Sequence, residues 1–457
     1  MSSVLARVRG LIVDEVLREG DPLPSTRAMA TQLGVARGTV VAAYEQLDGE
    51  GWISTRPGAV ARVATPAPGH LRAPAGRPLP TKARTAHALT DLRPGVPRTT
   101  AISLRDWRSA WRAAAEEPLR DALPDPAGTA GLREQISVQL ALSRGFSPSP
   151  DQVIITAGTT EALSLITEAL CTRLGRRPVV AVEDPGFTTG WRAISGAGGV
   201  LIPVPLDDGG LDLGSIPTEV DAIAVTPSHQ YPMGSVMPVA RRAELLNLAH
   251  GRGAVVLEDD YDSEFRHRGT PVPALATLDH HGVVLHLGSF SKILDPRLRC
   301  GYVVLPTAAP SPITEALRAA RAARGAVVAD PVQTALAHLL RTGALRRHLG
   351  RVRRDYAHKR TALERRLLRL DPPSRLQAHA LDGGLHVVLT WDGLPTPTEV
   401  LGWMRTKGFV LADLTDYSLT TPARQGIVLG YGAVPTATLV AALDALIDAF
   451  EPPHPGP

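Results

Sequence analysis

The chain has 457 residues, of which 44% are hydrophobic and 21% charged, and its formal net charge is +4. This length exceeds one ordinary core, so two or more domains are expected, and the composition excludes a disordered or fibrous protein. Two cysteines, Cys171 and Cys300, exclude a disulfide framework and fit a reducing compartment. No apolar run could span a bilayer, and Asp14 and Glu15 interrupt the first helical turns, where a secretory signal would be apolar. We therefore expect a cytoplasmic protein with no membrane partner.

The first 63 residues have the pattern of a helix-turn-helix followed by a hairpin wing. Ser25 is placed to cap a helix, Gly34 supplies a turn, and "GWISTRPGAVARV" at 51–63 is typical of a hairpin. Positive and negative charges cancel within residues 1–62, so binding to DNA must depend on where the charges lie. Arg37 and Thr39 open the second helix, where base edges and phosphates would be met. A small helical domain that docks a protein is the alternative, because helical hairpins are common.

Residues 64–89 differ in composition from the segments on either side of them. The segment "ATPAPGHLRAPAGRPLPTKARTAHAL" is rich in Pro, Ala and Gly and shows no sustained period, so we predict a semi-rigid linker. A second domain is then expected over residues 90–457.

Within residues 90–457, short apolar runs alternate with longer helical patterns, and each run ends in a polar cluster. The five runs are "QVIIT" (152–156), "VVAV" (179–182), "AIAVT" (222–226), "AVVL" (254–257) and "VVLHL" (283–287). Uniformly apolar runs separated by helices indicate parallel strands buried on both faces, in an α/β fold. Because ligands bind beyond the carboxyl ends of such strands, the polar clusters mark a binding site.

Lys292 follows the last of these runs, in the stretch "HLGSFSKILDPRLRCGYVV" at 286–304. A lysine placed there, three residues after Ser289 and one after Ser291, is suited to form a Schiff base if its amine is partly desolvated beside a carbonyl cofactor. Pyridoxal 5′-phosphate makes three further demands, which are phosphate donors, a carboxylate for the ring nitrogen and a flat group against the ring. The candidates for these demands lie at neighbouring strand ends: Thr159, Thr160, Ser289 and Arg299 for the phosphate, Asp259 for the nitrogen, Tyr261 for the phenolic oxygen and Phe187 for the ring face.

Four stretches carry a specific resemblance: "VEDPGF", "TPSHQYPMG", "EDDYDSEF" and "GSFSKILDPRLRCGY". They resemble the motif series of fold-type I aminotransferases in the version carried by MocR/GabR-type regulators, and residues 1–63 resemble the winged helix of GntR-type repressors. The resemblance implies a winged helix-turn-helix joined by a linker to an aminotransferase-like domain that binds pyridoxal phosphate through an internal aldimine at Lys292. It implies cofactor contacts from Asp259, Tyr261, Phe187, Thr159, Thr160, Ser289, Arg299 and Tyr231. It implies DNA contacts from Arg27, Arg37, Thr39, Arg56 and Gly58, a homodimer, and no metal.

Three positions depart from the pattern of a working aminotransferase. The turn that usually begins with an asparagine facing the cofactor reads Tyr231-Pro232-Met233-Gly234. Val428 stands where an arginine clamps the substrate carboxylate, and Thr189 stands where amino-acid-sensing relatives have an arginine. We therefore expect a transcriptional regulator that senses a small molecule, either an amine, an amino acid or the cofactor itself. The alternative is an active aminotransferase with an accessory amino-terminal domain, and a residual half-reaction is compatible with either.

Overall fold

A computed structural model of the chain describes residues 2–14, 16–56, 59–64, 89–118, 121–266, 273–306, 312–370, 376–421 and 424–450. The chain divides into two compact units, residues 1–86 and 87–457. Nearly all of the predicted linker lies outside the described residues, and so does Gly58. Among the helices in the described ranges, none is long and apolar enough to cross a membrane. The same ranges contain no group of three or more His, Cys, Asp or Glu side chains arranged to hold a metal ion.

Over its described residues, the first unit contains three helices and a two-stranded antiparallel hairpin. These are α1 (Ser2–Val13), α2 (Thr26–Leu33), α3 (Arg37–Gly49), β1 (Ile53–Ser54) and β2 (Arg62–Val63). The side chain of Ser25 accepts a hydrogen bond of 3.2 Å from the backbone N–H of Ala28, as expected of an N-cap. Gly34 ends α2 with a φ of 63°, a left-handed conformation that favours glycine. The predicted cap, turn and hairpin are therefore confirmed.

The core of this unit is formed mainly by one face of α3. Val40, Tyr44 and Leu47 recur at helical spacing and are buried against Ile12 of α1 and Met29 of α2. Each fully buried side chain of this size contributes about 1.5–3 kcal/mol. The Tyr44 hydroxyl donates to a backbone carbonyl, and burial raises the pKa of Tyr44 to about 12. With its inner face fixed in this way, α3 presents its first residues at a defined position.

The second unit is built on an eight-stranded sheet with the order β4-β11-β10-β9-β8-β5-β6-β7. The strands are β4 (Val153–Thr156), β5 (Val179–Asp184), β6 (Val200–Asp207), β7 (Gly210–Leu211), β8 (Ala222–Val225), β9 (Val255–Asp260), β10 (Val284–Ser289) and β11 (Gly301–Val304). The pairs β6–β5, β5–β8, β8–β9 and β9–β10 are parallel, which confirms the prediction for four of the five apolar runs. The fifth run, β4, points in the same direction as these four, but its bonded neighbour is β11, which runs antiparallel between β10 and β4. The sheet is therefore mixed, because β11, which was not predicted, runs against both of its neighbours.

Helices cover this sheet and connect its strands. They are α4 (Leu104–Ala115), α5 (Ala130–Ser143), α6 (Thr159–Leu174), α7 (Thr188–Gly196), α8 (Val239–Gly251), α9 (Leu275–Leu278), α10 (Phe290–Ile293), α11 (Pro312–Arg324), α12 (Asp330–Arg341) and α13 (Ala344–Leu367). Short 3₁₀ turns lie at Thr99–Ala101, Pro150–Gln152, Leu213–Ser215, Ser263–Phe265, Pro296–Leu298 and Leu414–Tyr417. Hydrophobic clusters on the two faces of the sheet bury the strands on both sides, as their apolar sequences require.

A smaller lobe follows α13 and contains a second, four-stranded antiparallel sheet with the order β12-β13-β16-β15. Its elements are β12 (Gln377–His379), β13 (His386–Trp391), α14 (Pro397–Thr406), β15 (Ala412–Asp413), β16 (Gln425–Gly430) and α15 (Thr436–Asp448). A short strand preceding β15, β14 (Phe409–Val410), pairs in parallel with β3 (Thr90–Asp91) at the start of the unit. This pairing brings residues 92–97 towards the carboxyl ends of the large sheet, where Gly95 contacts Lys292.

Candidate cofactor site and DNA-binding unit

Lys292 lies in the one-turn helix α10, directly after β10. Ser289 begins this turn by accepting a hydrogen bond of 3.1 Å from the backbone N–H of Ser291. The Lys292 ammonium Nζ donates a hydrogen bond of 2.7 Å to the carbonyl of Gly95. Gly95 has a φ of 117°, a left-handed backbone conformation that favours glycine. The amine is thereby held at the carboxyl edge of the sheet.

The electrostatic environment of Lys292 favours a neutral amine more than water does. Burial lowers the pKa of Lys292, and the nearby carboxylates of Asp262 and Asp259 offset part of this decrease. Since only the neutral amine is a nucleophile, a lowered pKa makes Lys292 more reactive towards a carbonyl group.

Asp259 lies at the end of β9, beside β10, with Leu287 as its partner in the parallel register. Burial is the largest effect on this carboxyl group and, together with the charge of Asp260, raises the pKa of Asp259 to about 7. Its Oδ1 accepts a hydrogen bond of 3.4 Å from the hydroxyl of Thr159. A carboxyl group with so few donors around it has capacity to bind a cationic ring nitrogen.

This raised pKa makes a testable difference to stability when no cofactor is bound. An ionised Asp259 is disfavoured in the folded protein, so its contribution is most favourable below the pKa of an unfolded aspartate and is lost as pH rises to about 7. Between pH 4 and 7, the free energy of unfolding of Asp259→Asn should therefore rise relative to that of the wild type, by at most about 1.4 kcal/mol per pH unit. Urea unfolding across this range measures the difference. The exposed carboxylate variant Asp392→Asn is the control and should show no such trend.

A possible anion cradle lies where α6 begins. Gly158 precedes the helix with a φ of 90° and makes no side-chain cap, so the helix starts at Thr159 with Thr160 in its first turn. The Arg299 guanidinium donates to the carbonyl of Ala157 at 2.9 Å and lies 3.8–3.9 Å from the position of a Cβ on Gly158. Backbone N–H groups at a helix start, with an arginine beside them, are suited to bind a phosphate.

Aromatic side chains form one wall of the site. Tyr231 lies at the centre, with ring centroids 6.2 Å from Phe187, 5.6 Å from Tyr261 and 5.6 Å from Tyr417. Burial raises the pKa of Tyr231 and of Tyr261 well above the usual tyrosine value. Both hydroxyls are therefore protonated at neutral pH and can donate hydrogen bonds. Tyr417 follows β15 and was not identified from the sequence.

Two histidines lie behind Tyr261 and Tyr231. The Nδ1 atom of His229 lies 2.9 Å from the hydroxyl of Tyr261 and 2.9 Å from the carboxylate of Asp262. His386 contacts the carbonyl of Pro232 at 2.9 Å through Nε2, and burial lowers its pKa to about 4. His386 is thus neutral at pH 7. Its place on β13, in the smaller lobe, gave no signal in the sequence, whereas His229 lies inside the "TPSHQYPMG" motif.

The structure shows the surroundings of Val428 and Thr189, two of the three positions that depart from an aminotransferase pattern. Val428 is fully buried in β16, in a cluster that also contains Val388, with Met233 and Tyr417 packed against it. Arg424, four residues earlier, is exposed and donates to the side chain of Gln377. Thr189 is exposed near the start of α7. The position of the expected clamp is therefore apolar.

In the first unit, the predicted DNA-contacting residues lie on the surface. Arg27, Arg37 and Arg56 are exposed, and Thr39 is partly buried in the first turn of α3. Ala36 precedes α3 without a side-chain capping bond, which leaves backbone N–H groups at the helix start available to a phosphate. Gly58, at the expected wing tip, is outside the described residues.

Comparisons with known proteins agree with both units. Residues 1–63 match the profile of the bacterial regulatory proteins of the gntR family. The pyridoxine biosynthesis transcriptional regulator PdxR of Corynebacterium glutamicum is 37% identical over 97% of this chain and 94% of its own length. The probable rhizopine catabolism regulatory protein MocR of Rhizobium meliloti is 30% identical over 97% of this chain and 92% of its own. A kynurenine aminotransferase structure from Pyrococcus horikoshii, 24% identical, covers 80% of this chain and 91% of its own with a TM-score of 0.69, which shows the fold alone.

A winged helix-turn-helix and an aminotransferase-like fold in one chain define a class of transcriptional regulator that binds DNA. The identity with two regulators over almost the full length of both chains is specific to that class. The protein belongs to the MocR-type regulators of the GntR family.

Proposed function

We propose that this transcriptional regulator binds pyridoxal 5′-phosphate at Lys292 and that the cofactor itself is the signal it reports. The observation that carries the proposal is the pairing of Lys292, whose pKa is lowered, with Asp259, whose pKa is raised to about 7, at the ends of two adjacent strands. A buried amine and a buried carboxyl group with shifted pKa values, at one edge of a sheet, are typical of a binding site.

The residues present fit this cofactor. Thr159, Thr160, Ser289 and Arg299 would hold the phosphate, as the cradle at the start of α6 suggests. Asp259 would bind the ring nitrogen, Tyr261 the phenolic oxygen, and Phe187 and Tyr231 would lie against the ring. When bound, pyridoxal phosphate supplies an aldehyde that reacts with amines and a ring that withdraws electrons. Lys292 would provide the amine and hold the cofactor in place.

The cofactor is a better candidate for the signal than an amino acid. An arginine clamp on a substrate carboxylate contributes about 1.5–3 kcal/mol. Here Val428 is buried and Arg424 is bonded elsewhere, so that contribution is missing from the expected position. The similarity to a regulator named for pyridoxine biosynthesis also supports the cofactor as the signal. We infer that the genes under control belong to the supply of this cofactor.

The DNA operator would be contacted by Arg27, Arg37, Thr39 and the wing residues Arg56 and Gly58. The exposure of the three arginines supports this assignment. A homodimer would present two such units to repeated half-sites. Such a regulator would act in the cytoplasm.

A working aminotransferase is the second candidate, because Lys292, Asp259 and Tyr261 are all in place and the fold is that of aminotransferases. Purified protein with pyridoxal phosphate, a panel of amino donors and 2-oxoglutarate distinguishes the two. We expect visible absorbance from the bound cofactor, little turnover of any donor, and retention of the protein's own promoter DNA in a gel shift. Rapid turnover without retention of the promoter DNA would favour the enzyme and contradict the proposal.

A further inference from the structure

A cavity of about 440 Å³ lies in the second unit, next to the His229–Asp262 pair. Its walls come from the end of α5, the loops after β8 and β9, the helix α13, and the loop Asp382–Gly384. This volume is within the range of sites that bind small molecules. Lys292 and Asp259 do not line it, so it is separate from the proposed cofactor site.

Four arginines are among the lining residues: Arg144, Arg266, Arg346 and Arg353. Arg144 is buried, forms an ion pair of 2.6 Å with Asp260 and donates to Ser228 at 2.9 Å. Arg346 is exposed on α13 and has no hydrogen bond or ion pair within the part of the chain that the structure describes. The planar guanidinium of Arg346 is therefore available to a carboxylate or phosphate.

Two other lining side chains carry polar atoms that lack partners. The Nε2 atom of His229 and the hydroxyl of Ser263 are buried and make no hydrogen bond with any described residue. His229 as a whole is only 4% exposed. Because buried polar groups in proteins are almost always bonded, these atoms indicate that a polar ligand or water belongs in the cavity.

The cavity also contains carboxylates, which an anion would have to tolerate. They are Asp262, Glu264 and Asp382. Burial raises the pKa of Glu264 to about 7, so its carboxyl group is partly protonated at neutral pH, and the carboxylate of Asp262 is bonded to His229. Asp382 is exposed to solvent. Arg144 is already paired with Asp260, so it is Arg346, on the exposed side of the cavity, that offers its positive charge to an anion.

Residues that line the cavity are in contact with residues of the proposed cofactor site. A Cβ atom at Gly384 would lie 2.6 Å from Asp262 Oδ2 and 2.7 Å from the His229 ring, so this loop is packed directly on the pair. His229 in turn lies 2.9 Å from the hydroxyl of Tyr261. A ligand that bonds to His229 would therefore change the hydrogen bonding of Tyr261.

We propose that this cavity binds a compact dianion, either a phosphate ester or a dicarboxylate, and that His229 transmits its presence to Tyr261. The binding of the dianion is independent of the proposed function, whereas the transmission rests on it. The regulator would then combine two chemical inputs, the cofactor at Lys292 and an anion beside it.

Titration calorimetry on the full chain saturated with pyridoxal phosphate tests the binding, with phenyl phosphate and succinate as the two probes. Arg346→Gln should weaken the preferred probe about tenfold, the loss expected for one charge-assisted hydrogen bond. The matched control Arg354→Gln, on the same helix but outside the cavity lining, should leave the affinity within twofold. Equal affinity in Arg346→Gln and the wild type, or absence of binding for both probes, overturns the proposal.

Arg299→Gln separates this cavity from the cofactor cradle. Probe binding that is lost in Arg299→Gln but retained in Arg346→Gln would place the probe in the cradle and overturn the proposal. If the cofactor fails to bind while Arg346-dependent probe binding persists, the proposed function is wrong and the anion site stands.

For the transmission, saturating probe should shift the visible absorbance of the cofactor in the wild type and not in His229→Asn. An unchanged wild-type spectrum at saturation overturns the transmission.

Discussion

Replacing Lys292 with alanine is expected to abolish the visible absorbance of bound pyridoxal phosphate and the response of operator affinity to it. The amine of Lys292, held by the carbonyl of Gly95 at 2.7 Å, is the group we assign to hold the cofactor. The affinity for nonspecific DNA should remain nearly unchanged, because that affinity depends on charges in the first unit. Spectral titration with the cofactor and fluorescence anisotropy with labelled DNA measure the two effects.

Two variants control this experiment. Lys292→Arg keeps a positive charge but cannot form a Schiff base, so it should behave like the alanine variant. Lys407→Ala removes an exposed lysine that lies over the ring of Trp403 and is not assigned to the cofactor, and it should behave like the wild type. Retention of the cofactor spectrum in Lys292→Ala would contradict the assignment of Lys292.

Replacing Arg37 with alanine is expected to produce the opposite result. Arg37 is exposed at the first position of α3, where a winged helix meets the operator. Loss of one arginine contact to a base or phosphate costs about 1–3 kcal/mol, or roughly 5- to 150-fold in operator affinity. Cofactor absorbance should be unaffected, since the substitution lies in the other unit.

Arg7→Ala is the matched control, because Arg7 is an exposed arginine on α1 of the same unit that we do not assign to the operator. Anisotropy with the promoter fragment should give an affinity within about twofold of the wild type for this control. Equal losses in Arg7→Ala and Arg37→Ala would indicate a general charge effect and would contradict a specific role for α3.

Local patterns in the sequence were sufficient for much of the fold. The N-cap at Ser25, the left-handed turn at Gly34 and four parallel strands depend on neighbouring residues, and the structure confirms them. The direction of β11 and the four-stranded sheet of the smaller lobe were not predicted. Pairing between β13 and β16, or between β3 and β14, joins segments far apart in sequence, and a periodic pattern carries no information on such partners.

The residues of the site likewise divide into those that the sequence predicted and those that it did not. Lys292, Asp259 and Thr159 could be named in advance because each follows a strand whose carboxyl end faces the same edge. Gly95 contacts Lys292 from a position 197 residues away, and His386 and Tyr417 enter from the smaller lobe. These residues depend on the packing of the two lobes against each other, so no spacing in the sequence could reveal them.

The central claim is that a single chain couples pyridoxal phosphate at Lys292 to the affinity for its operator. The most direct test is the operator dissociation constant, measured by anisotropy on the protein's own promoter across a titration with pyridoxal phosphate. We predict that the constant changes at least about fivefold as the cofactor spectrum saturates, the lower end of typical coupling between sites. A protein that saturates with the cofactor while its operator affinity stays constant would contradict the account.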